Sequence, residues 1–190
     1  MTAQESLTKL KEGNKRYVDG NLQHPNTTNA RRDELAGGQK PFAIVLSCAD
    51  SRVVPELIFD QGMGDLFVIR VAGNIAEDRV IGSIEYAVEH LGTKLVLVLG
   101  HESCGAVGAS LGDEDPGGHI SSLVELIKPA VNKAKGMDGD LLVNSVKTNA
   151  TMVADQLRDT GPFISKHVEE SGVQVVSGYY KLSNGEVEFL

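Results

Sequence analysis

Two short apolar runs constrain the fold of this 190-residue chain more than any other feature. They are Phe42–Leu46 and Leu95–Leu99, and an unbroken apolar run of this length is typical of a strand buried on both faces of a parallel sheet. Cys48 follows the first run, and the second run leads to His101 and Cys104. Thiolate and imidazole are ligands that zinc prefers. The sequence therefore predicts a catalytic metal site where two strands end.

The rest of the sequence predicts an α/β fold, with a mainly parallel central sheet, flanking helices and an antiparallel strand at the C-terminal edge. Strands are expected at 42–48, 66–70, 94–99, 173–176 and 186–190. The expected helices include 2–18, 29–35, 120–134, 140–157 and 162–171. If the first and third strands share one metal, they must be parallel neighbours, with the second strand on the far side of the first. The site then lies at the carboxyl ends of adjacent strands where the winding order reverses, the usual ligand crevice of such sheets.

The N-terminal segment is expected to differ from the rest. Residues 1–35 are interpreted as a helical arm and residues 36–190 as the α/β zinc domain, within a single domain overall. Thr2 and Glu5 have the spacing of a capping box. The first helix carries a thin apolar stripe, Leu7, Leu10, Tyr17 and Val18. Because Asn14 interrupts it, the stripe is narrow for packing on the protein's own core, so either a loose surface helix or, preferably, an arm on a partner chain is expected.

Charge and composition exclude several classes of partner. The chain has 18 basic and 26 acidic residues, a net charge of -8, which argues against nucleic acid or an anionic membrane. No apolar run is long enough to span a bilayer, and the first residues do not resemble a signal peptide. Two cysteines make no disulfide framework, so a cytoplasmic location is expected. Glu56 and Asp60 are interpreted as part of a solvated helix face.

The candidate ligands indicate a metal site more strongly in combination than any one of them does alone. A lone cysteine beside a strand is more often a small buried hydrophobe, but the spacing of His101 and Cys104 places two donors within one turn. Two cysteines and one histidine leave a fourth position open, as in catalytic zinc sites. Asp50 either ligates the metal or accepts a hydrogen bond from a metal-bound water. Arg52 can hold this carboxylate through two parallel hydrogen bonds, although an ordinary surface charge is the alternative.

Four stretches of the chain, Cys48–Glu56, Asp65–Asn74, Gly82–Val88 and His101–Gly105, together resemble the β-class carbonic anhydrases. The resemblance extends from about Glu12 to the C-terminal strand. It implies the reversible hydration of carbon dioxide to bicarbonate and a proton by attack of zinc-bound hydroxide. The zinc ligands that it implies, for one Zn²⁺ per chain, are Cys48, His101 and Cys104. It also implies that Asp50 and Arg52 form a catalytic dyad that orients the zinc-bound water.

The resemblance also implies a substrate pocket and an assembly. Gln39, Phe67 and Tyr86 match pocket positions of the plant-type subgroup, in which residues of two subunits meet. For Phe67 and Tyr86, simple core packing remains an equal alternative. Gly105 would present its backbone N–H to the substrate. The implied assembly is a homodimer or a dimer of dimers, acting on a small molecule.

Two alternative functions stay open at this point. One is hydrolysis of CS2 or COS on the same fold, and the other is a zinc-binding regulatory protein without turnover. Some members of the resembled family close their site at lower pH, using a tryptophan just before the first zinc cysteine. This chain has no tryptophan. Asp50 is therefore expected to stay off the metal near neutral pH, paired with Arg52.

Overall fold

Helices and strands alternate along the chain around one central sheet. The structure is a computed structural model, and it describes residues 1–161 and 163–190 without the side chain of Phe163. The strands are β1 (Ala43–Ser47), β2 (Leu66–Arg70), β3 (Leu95–His101), β4 (Gln174–Tyr180) and β5 (Val187–Phe189). The helices are α1 (Ala3–Val18), α2 (Asn29–Leu35), α3 (Pro55–Ile58), α4 (Asp78–Glu89), α5 (Gly105–Ala109), α6 (Ile120–Ala134), α7 (Leu141–Asp159) and α8 (Phe163–Glu170). The helix predicted at 162–171 corresponds to α8, and its first predicted residue lies outside the described residues.

The sheet has the order that a shared metal requires. Its strands run β2-β1-β3-β4-β5. β1 pairs in parallel with both β2 and β3, β3 pairs in parallel with β4, and β5 is antiparallel to β4. The prediction of a mainly parallel α/β sheet with an antiparallel C-terminal edge is thus confirmed. The carboxyl ends of β1 and β3 lie side by side, because the two strands are parallel neighbours.

β1 and β3 are buried along their whole length because helices cover both faces of the sheet. Side chains of a strand point alternately to opposite faces. Ile44 and Val96 face a core that also contains residues of α4, α7 and α8. Val45 and Leu97 face the opposite core, which includes residues of α1 and α3. Among the described residues, no helix has both the length and the apolar composition needed to cross a bilayer.

Helix α1 lies on this second core. Its predicted capping box is formed, since the Thr2 N–H donates to Glu5 Oε2 at 2.7 Å and the Glu5 N–H donates to Thr2 Oγ1 at 3.2 Å. Leu10 is fully buried among residues of the sheet, and Ser6 Oγ donates to the Phe42 carbonyl at 2.8 Å. The expectation that the apolar stripe is too narrow to pack on the protein's own core is therefore wrong.

A glycine and an asparagine complete the contact of α1 with the rest of the chain. A Cβ on Gly13 would lie 1.8 Å from the Phe59 carbonyl oxygen, so only glycine allows α1 to approach α3 this closely. Asn14 Nδ2 donates to the carbonyls of Ile58 at 3.1 Å and Gly185 at 2.9 Å. Its Oδ1 accepts from the Val187 N–H at 2.9 Å. Asn14 thus connects α1 to α3 and to β5, instead of interrupting a packing surface.

Asp60 is buried, which corrects its interpretation as part of a solvated helix face. Its carboxylate accepts from Arg16 Nε at 2.5 Å, and from the backbone N–H groups of Gln23 at 3.1 Å and His24 at 3.0 Å. Burial by itself would raise the pKa of Asp60, but these donors outweigh it and hold the pKa below its usual value. Asp60 thus joins α1, the connector after it and the end of α3.

Candidate metal centre

The two strand ends bring the three predicted ligands together. Cys48 follows β1, His101 is the last residue of β3, and Cys104 directly precedes α5. One ligand atom from each side chain lies within 4.8 Å of the others, and all three residues are buried. We call this group the CHC cluster. It forms because β1 and β3 are parallel neighbours whose carboxyl ends reach the same edge of the sheet.

The ring of His101 has a fixed orientation. Its Nδ1 lies 2.9 Å from the Glu102 carbonyl oxygen, which can only accept, so Nδ1 carries the proton and donates. Nε2 then keeps a free lone pair. This atom is buried and has no hydrogen-bond partner. An unpartnered buried nitrogen is costly unless a further group binds there, and a metal ion satisfies that requirement.

The two sulfur atoms are also suited to a metal ion. Hydrogen bonding with Cys104 lowers the pKa of Cys48, whereas hydrogen bonding with Cys48 and burial raise the pKa of Cys104. The Gly73 N–H donates to Cys48 Sγ at 3.4 Å, which further favours the thiolate. Metal binding releases the protons of thiol ligands, because sulfur binds the metal as a thiolate. Two sulfurs and one imidazole nitrogen fit zinc with a fourth position open.

Asp50 and Arg52 form an ion pair beside the cluster, joined by two hydrogen bonds between their side chains. Arg52 Nε donates to Asp50 Oδ1 at 2.9 Å, and Arg52 Nη2 donates to Asp50 Oδ2 at 2.7 Å. The Arg52 backbone N–H also donates to Oδ1 at 2.9 Å. The hydrogen bonds from Arg52 hold the pKa of Asp50 well below its usual range. Asp50 Oδ2 lies 3.9 Å from His101 Nε2, so an ionised carboxylate faces the free ligand atom.

Arg70 is a contributor that sequence reasoning did not single out. Its Nε donates to the Cys48 carbonyl at 3.1 Å and its Nη2 to the Asp50 carbonyl at 2.6 Å. Arg70 thereby fixes the backbone between the cluster and the carboxylate. Its signal in the sequence is a charged residue at the end of an otherwise apolar strand. Only the register that pairs Ser47 with Arg70 shows what this charge contacts.

The predicted pocket residues lie on different elements of the chain, and two of them, Phe67 and Tyr86, are near each other. Gln39 is exposed in the loop before β1, whereas Gly105 is the exposed first residue of α5, next to Cys104. Phe67 and Tyr86 lie on β2 and α4, with ring centroids 6.3 Å apart. The Tyr86 side chain is half exposed. Phe67 packs against the core that includes α4, while the cysteines of the CHC cluster belong to a separate apolar group.

Comparisons with known proteins identify the family. Residues 43–187 match the family model described as carbonic anhydrase. Carbonic anhydrase 2 of Mycobacterium tuberculosis is 42% identical over 183 residues, which cover 93% of this chain and 87% of that protein. A Coccomyxa β-carbonic anhydrase, solved in complex with acetazolamide, superposes with a TM-score of 0.76 at 26% identity, over 97% of this chain and 86% of that one. A tetrameric β-carbonic anhydrase of Sordaria macrospora shares the fold, with a TM-score of 0.77 at 24% identity over 98% and 94% of the two chains.

The chain belongs to the β-class carbonic anhydrase family. It is an enzyme, a carbonate dehydratase that hydrates carbon dioxide, and its CHC cluster fits the zinc site of this class. The predicted family and activity are thereby confirmed. Neither hydrolysis of CS2 or COS nor zinc binding without turnover finds support among these relatives.

Proposed function

We propose that Cys48, His101 and Cys104 hold one zinc ion per chain, and that Asp50 and Arg52 orient the group that attacks carbon dioxide. The observation that carries this proposal is the buried Nε2 of His101, which has no partner and lies 3.9 Å from Asp50 Oδ2. A free imidazole nitrogen and an ionised carboxylate at this separation suit one ion and one reacting group between them. Both are fixed by neighbouring hydrogen bonds before any ligand enters.

When bound, a zinc ion with one open position lowers the pKa of a water ligand to about 7 and supplies hydroxide at neutral pH. The chain's own residues supply orientation. Asp50 stays ionised beside Arg52 and can only accept a hydrogen bond. An attacking oxygen that donates a hydrogen bond to Asp50 has its remaining lone pairs directed away from Asp50, towards the carbon of the substrate. Arg52 holds the Asp50 carboxylate in the orientation that accepts this hydrogen bond and keeps it from binding the metal.

Substrate recognition is proposed to follow the plant-type subgroup. The side chains of Gln39, Phe67 and Tyr86 would line an apolar pocket for an uncharged substrate, and the Gly105 N–H would donate to a substrate oxygen. Because these side chains and the CHC cluster lie in different parts of one chain, we propose that the pocket forms in a homodimer or a dimer of dimers. The tetrameric state of the Sordaria macrospora protein supports this assembly.

Zinc content and carbon dioxide hydration, measured together by stopped flow on the same samples, test the proposal. The wild-type protein should carry about one zinc per chain, matching the single site. Cys48→Ser and Cys104→Ser should lose both zinc and activity. Ser47→Ala is the matched control, because Ser47 is the buried neighbour of Cys48 and its hydroxyl has no hydrogen-bond partner. Full zinc retention in both cysteine variants would remove the assignment of ligands.

A further inference from the structure

Two consecutive hydrogen bonds connect the middle of helix α7 to the CHC cluster. Asn149 donates to Gly73, and Gly73 donates to Cys48. We propose that Asn149 is a positioning residue for the metal site: it holds Gly73 where its N–H donates to the Cys48 sulfur, and so sets the charge and direction of this ligand. The inference rests on the proposed role of Cys48 as a zinc ligand.

The hydrogen bond from Asn149 to Gly73 is buried, and its direction is fixed by the chemistry of the two groups. Asn149 is 2% exposed, in a part of α7 that also packs apolar side chains such as Ala150 and Val153 against the sheet. Its Nδ2 lies 2.9 Å from the Gly73 carbonyl oxygen, and because a carbonyl only accepts, the amide NH2 must face it. A buried amide without a partner costs about 1–3 kcal/mol, so an asparagine here requires this contact.

The second bond depends on the backbone of Gly73. This residue has a φ of +74°, which favours glycine. A Cβ at this position would lie 2.5 Å from Ile127 Cδ1 and 3.3 Å from Ala106 Cβ. The peptide therefore passes between the cluster and the side chains of α5 and α6. In this position its N–H lies 3.4 Å from Cys48 Sγ and its carbonyl meets Asn149.

The consequence for the metal site follows from the chemistry of thiolate ligands. An N–H that donates to a thiolate withdraws part of its negative charge and restricts its orientation. Groups that orient metal ligands in this way typically change metal affinity by about 10- to 100-fold when they are removed. Loss of Asn149 would free the Gly73 peptide to rotate, and Cys48 Sγ would lose the Gly73 N–H as a donor.

Gln156 provides a matched control on the same helix. Its Nε2 donates to the Ala76 carbonyl at 3.2 Å, so it also joins α7 to the segment that follows β2. Replacing either amide by alanine removes one bond of the same kind between the same two elements. Only the bond of Asn149 leads to Cys48.

The test compares Asn149→Ala with Gln156→Ala in zinc and cobalt forms. Asn149→Ala should weaken zinc binding by about 10- to 100-fold in chelator competition. It should also shift the thiolate-to-cobalt charge-transfer absorption, whereas Gln156→Ala should leave both properties at the wild-type value. If Asn149→Ala only lowers the melting temperature, with zinc affinity and cobalt spectrum unchanged, its role is structural and the inference is wrong.

A measurement on the wild-type chain covers the case in which Asn149→Ala does not fold. In protein loaded with a spin-active cadmium isotope, the amide proton of Gly73 should show a scalar correlation to the metal through Cys48 Sγ. Absence of this correlation would overturn the inference. Different results would contradict the proposed metal site itself. These are a wild-type protein without a thiolate-to-cobalt band, or a Cys48→Ser variant that keeps the full band.

Discussion

Asp50 and Arg52 form an ion pair for which we propose an orienting role, and its contribution to stability is expected to be small. The Arg52 side chain is 54% exposed, and exposed ion pairs contribute about 0–1 kcal/mol to folding. The same two bonds fix a carboxylate 3.9 Å from His101 Nε2. A misplacement of about 1 Å at a reacting centre can cost about 100-fold in rate. Rate and stability should therefore respond very differently when Arg52 is changed.

Arg52→Ala should lower kcat for carbon dioxide hydration by about 100-fold while zinc stays bound, because Asp50 loses its orientation and is free to turn onto the metal. Its free energy of unfolding should change by less than about 1 kcal/mol. Arg79→Ala is the control, since Arg79 also pairs with a carboxylate two residues earlier, Glu77, at 3.3 Å. Stopped-flow rates and zinc analysis decide the question. Wild-type turnover in zinc-replete Arg52→Ala would show that the dyad is misassigned.

The residues of the site differ in how far the sequence could predict them. Asp50 and Arg52 are near neighbours, so their pairing needed only local geometry. Cys48 and His101 could be joined because each lies at the end of a recognisable buried strand and a shared zinc site would need both. The contacts of Arg70 and Gly73 with the Cys48 segment were not predicted, because they depend on the register of β2 and on a left-handed turn after it.

Helix α1 is attached to the rest of the chain by polar residues as well as by its apolar stripe. Asn14 makes three buried or part-buried hydrogen bonds to α3, the β4–β5 turn and β5. The capping box at Thr2 could be predicted because it is local. The packing of α1 could not be predicted. Asn14 looks like an interruption of the apolar stripe until its hydrogen-bond partners, which are distant in sequence, are known. Hydrophobic periodicity alone therefore underestimated this contact.

Asn14→Ala should lower the free energy of unfolding by about 2–4 kcal/mol, because it leaves several buried backbone groups without partners. Lys15→Ala is the control on the next residue, whose side chain is 75% exposed, and it should change stability by less than about 0.5 kcal/mol. Urea denaturation of both variants measures the difference. Equal midpoints for the two variants would show that α1 is only loosely attached.

Asp60 should make the stability of the folded protein depend on pH. Its pKa is lower in the folded protein, so the unfolded chain binds more protons as the pH falls. The stabilisation is fully present above about pH 4, the unfolded value, and is lost as the pH drops through the folded pKa. Asp60→Asn should destabilise the protein by about 3 kcal/mol near neutral pH and give a flatter stability profile in acid.

Urea midpoints measured at several acidic and neutral pH values test the role of Asp60. Asp19→Asn removes an exposed carboxylate that pairs with Lys15 and serves as the control for the change in net charge. If the stability of Asp60→Asn falls with acid as steeply as that of the wild type, Asp60 does not carry this dependence.

One chain holds the CHC cluster but leaves proposed pocket residues on its surface. Tyr86 is 49% exposed, as are other large apolar side chains such as Leu57 and Met63 at 50% and 39%. Removing α1 would not test the assembly cleanly, because Leu10 is part of the chain's own core. A test of the shared pocket must leave each chain folded and separate the contributions of two subunits.

Subunit complementation provides this test, using Cys48→Ser, which lacks a metal ligand, and Tyr86→Ala, which lacks a proposed pocket residue. Each variant alone should have little activity. If the pocket combines the cluster of one chain with Tyr86 of its partner, every mixed dimer contains one intact site. Random exchange should then restore about a quarter of the wild-type activity, since half of the dimers are mixed.

Stopped-flow assays before and after subunit exchange measure the gain. A mixture of Cys48→Ser with Cys104→Ser is the control, because no pairing of these chains contains an intact site, and its activity should not rise. If Tyr86 instead served the cluster of its own chain, the mixture of Cys48→Ser with Tyr86→Ala would also stay at the mean of its components. Such a result, in a sample shown to contain mixed dimers, would contradict a pocket shared between subunits.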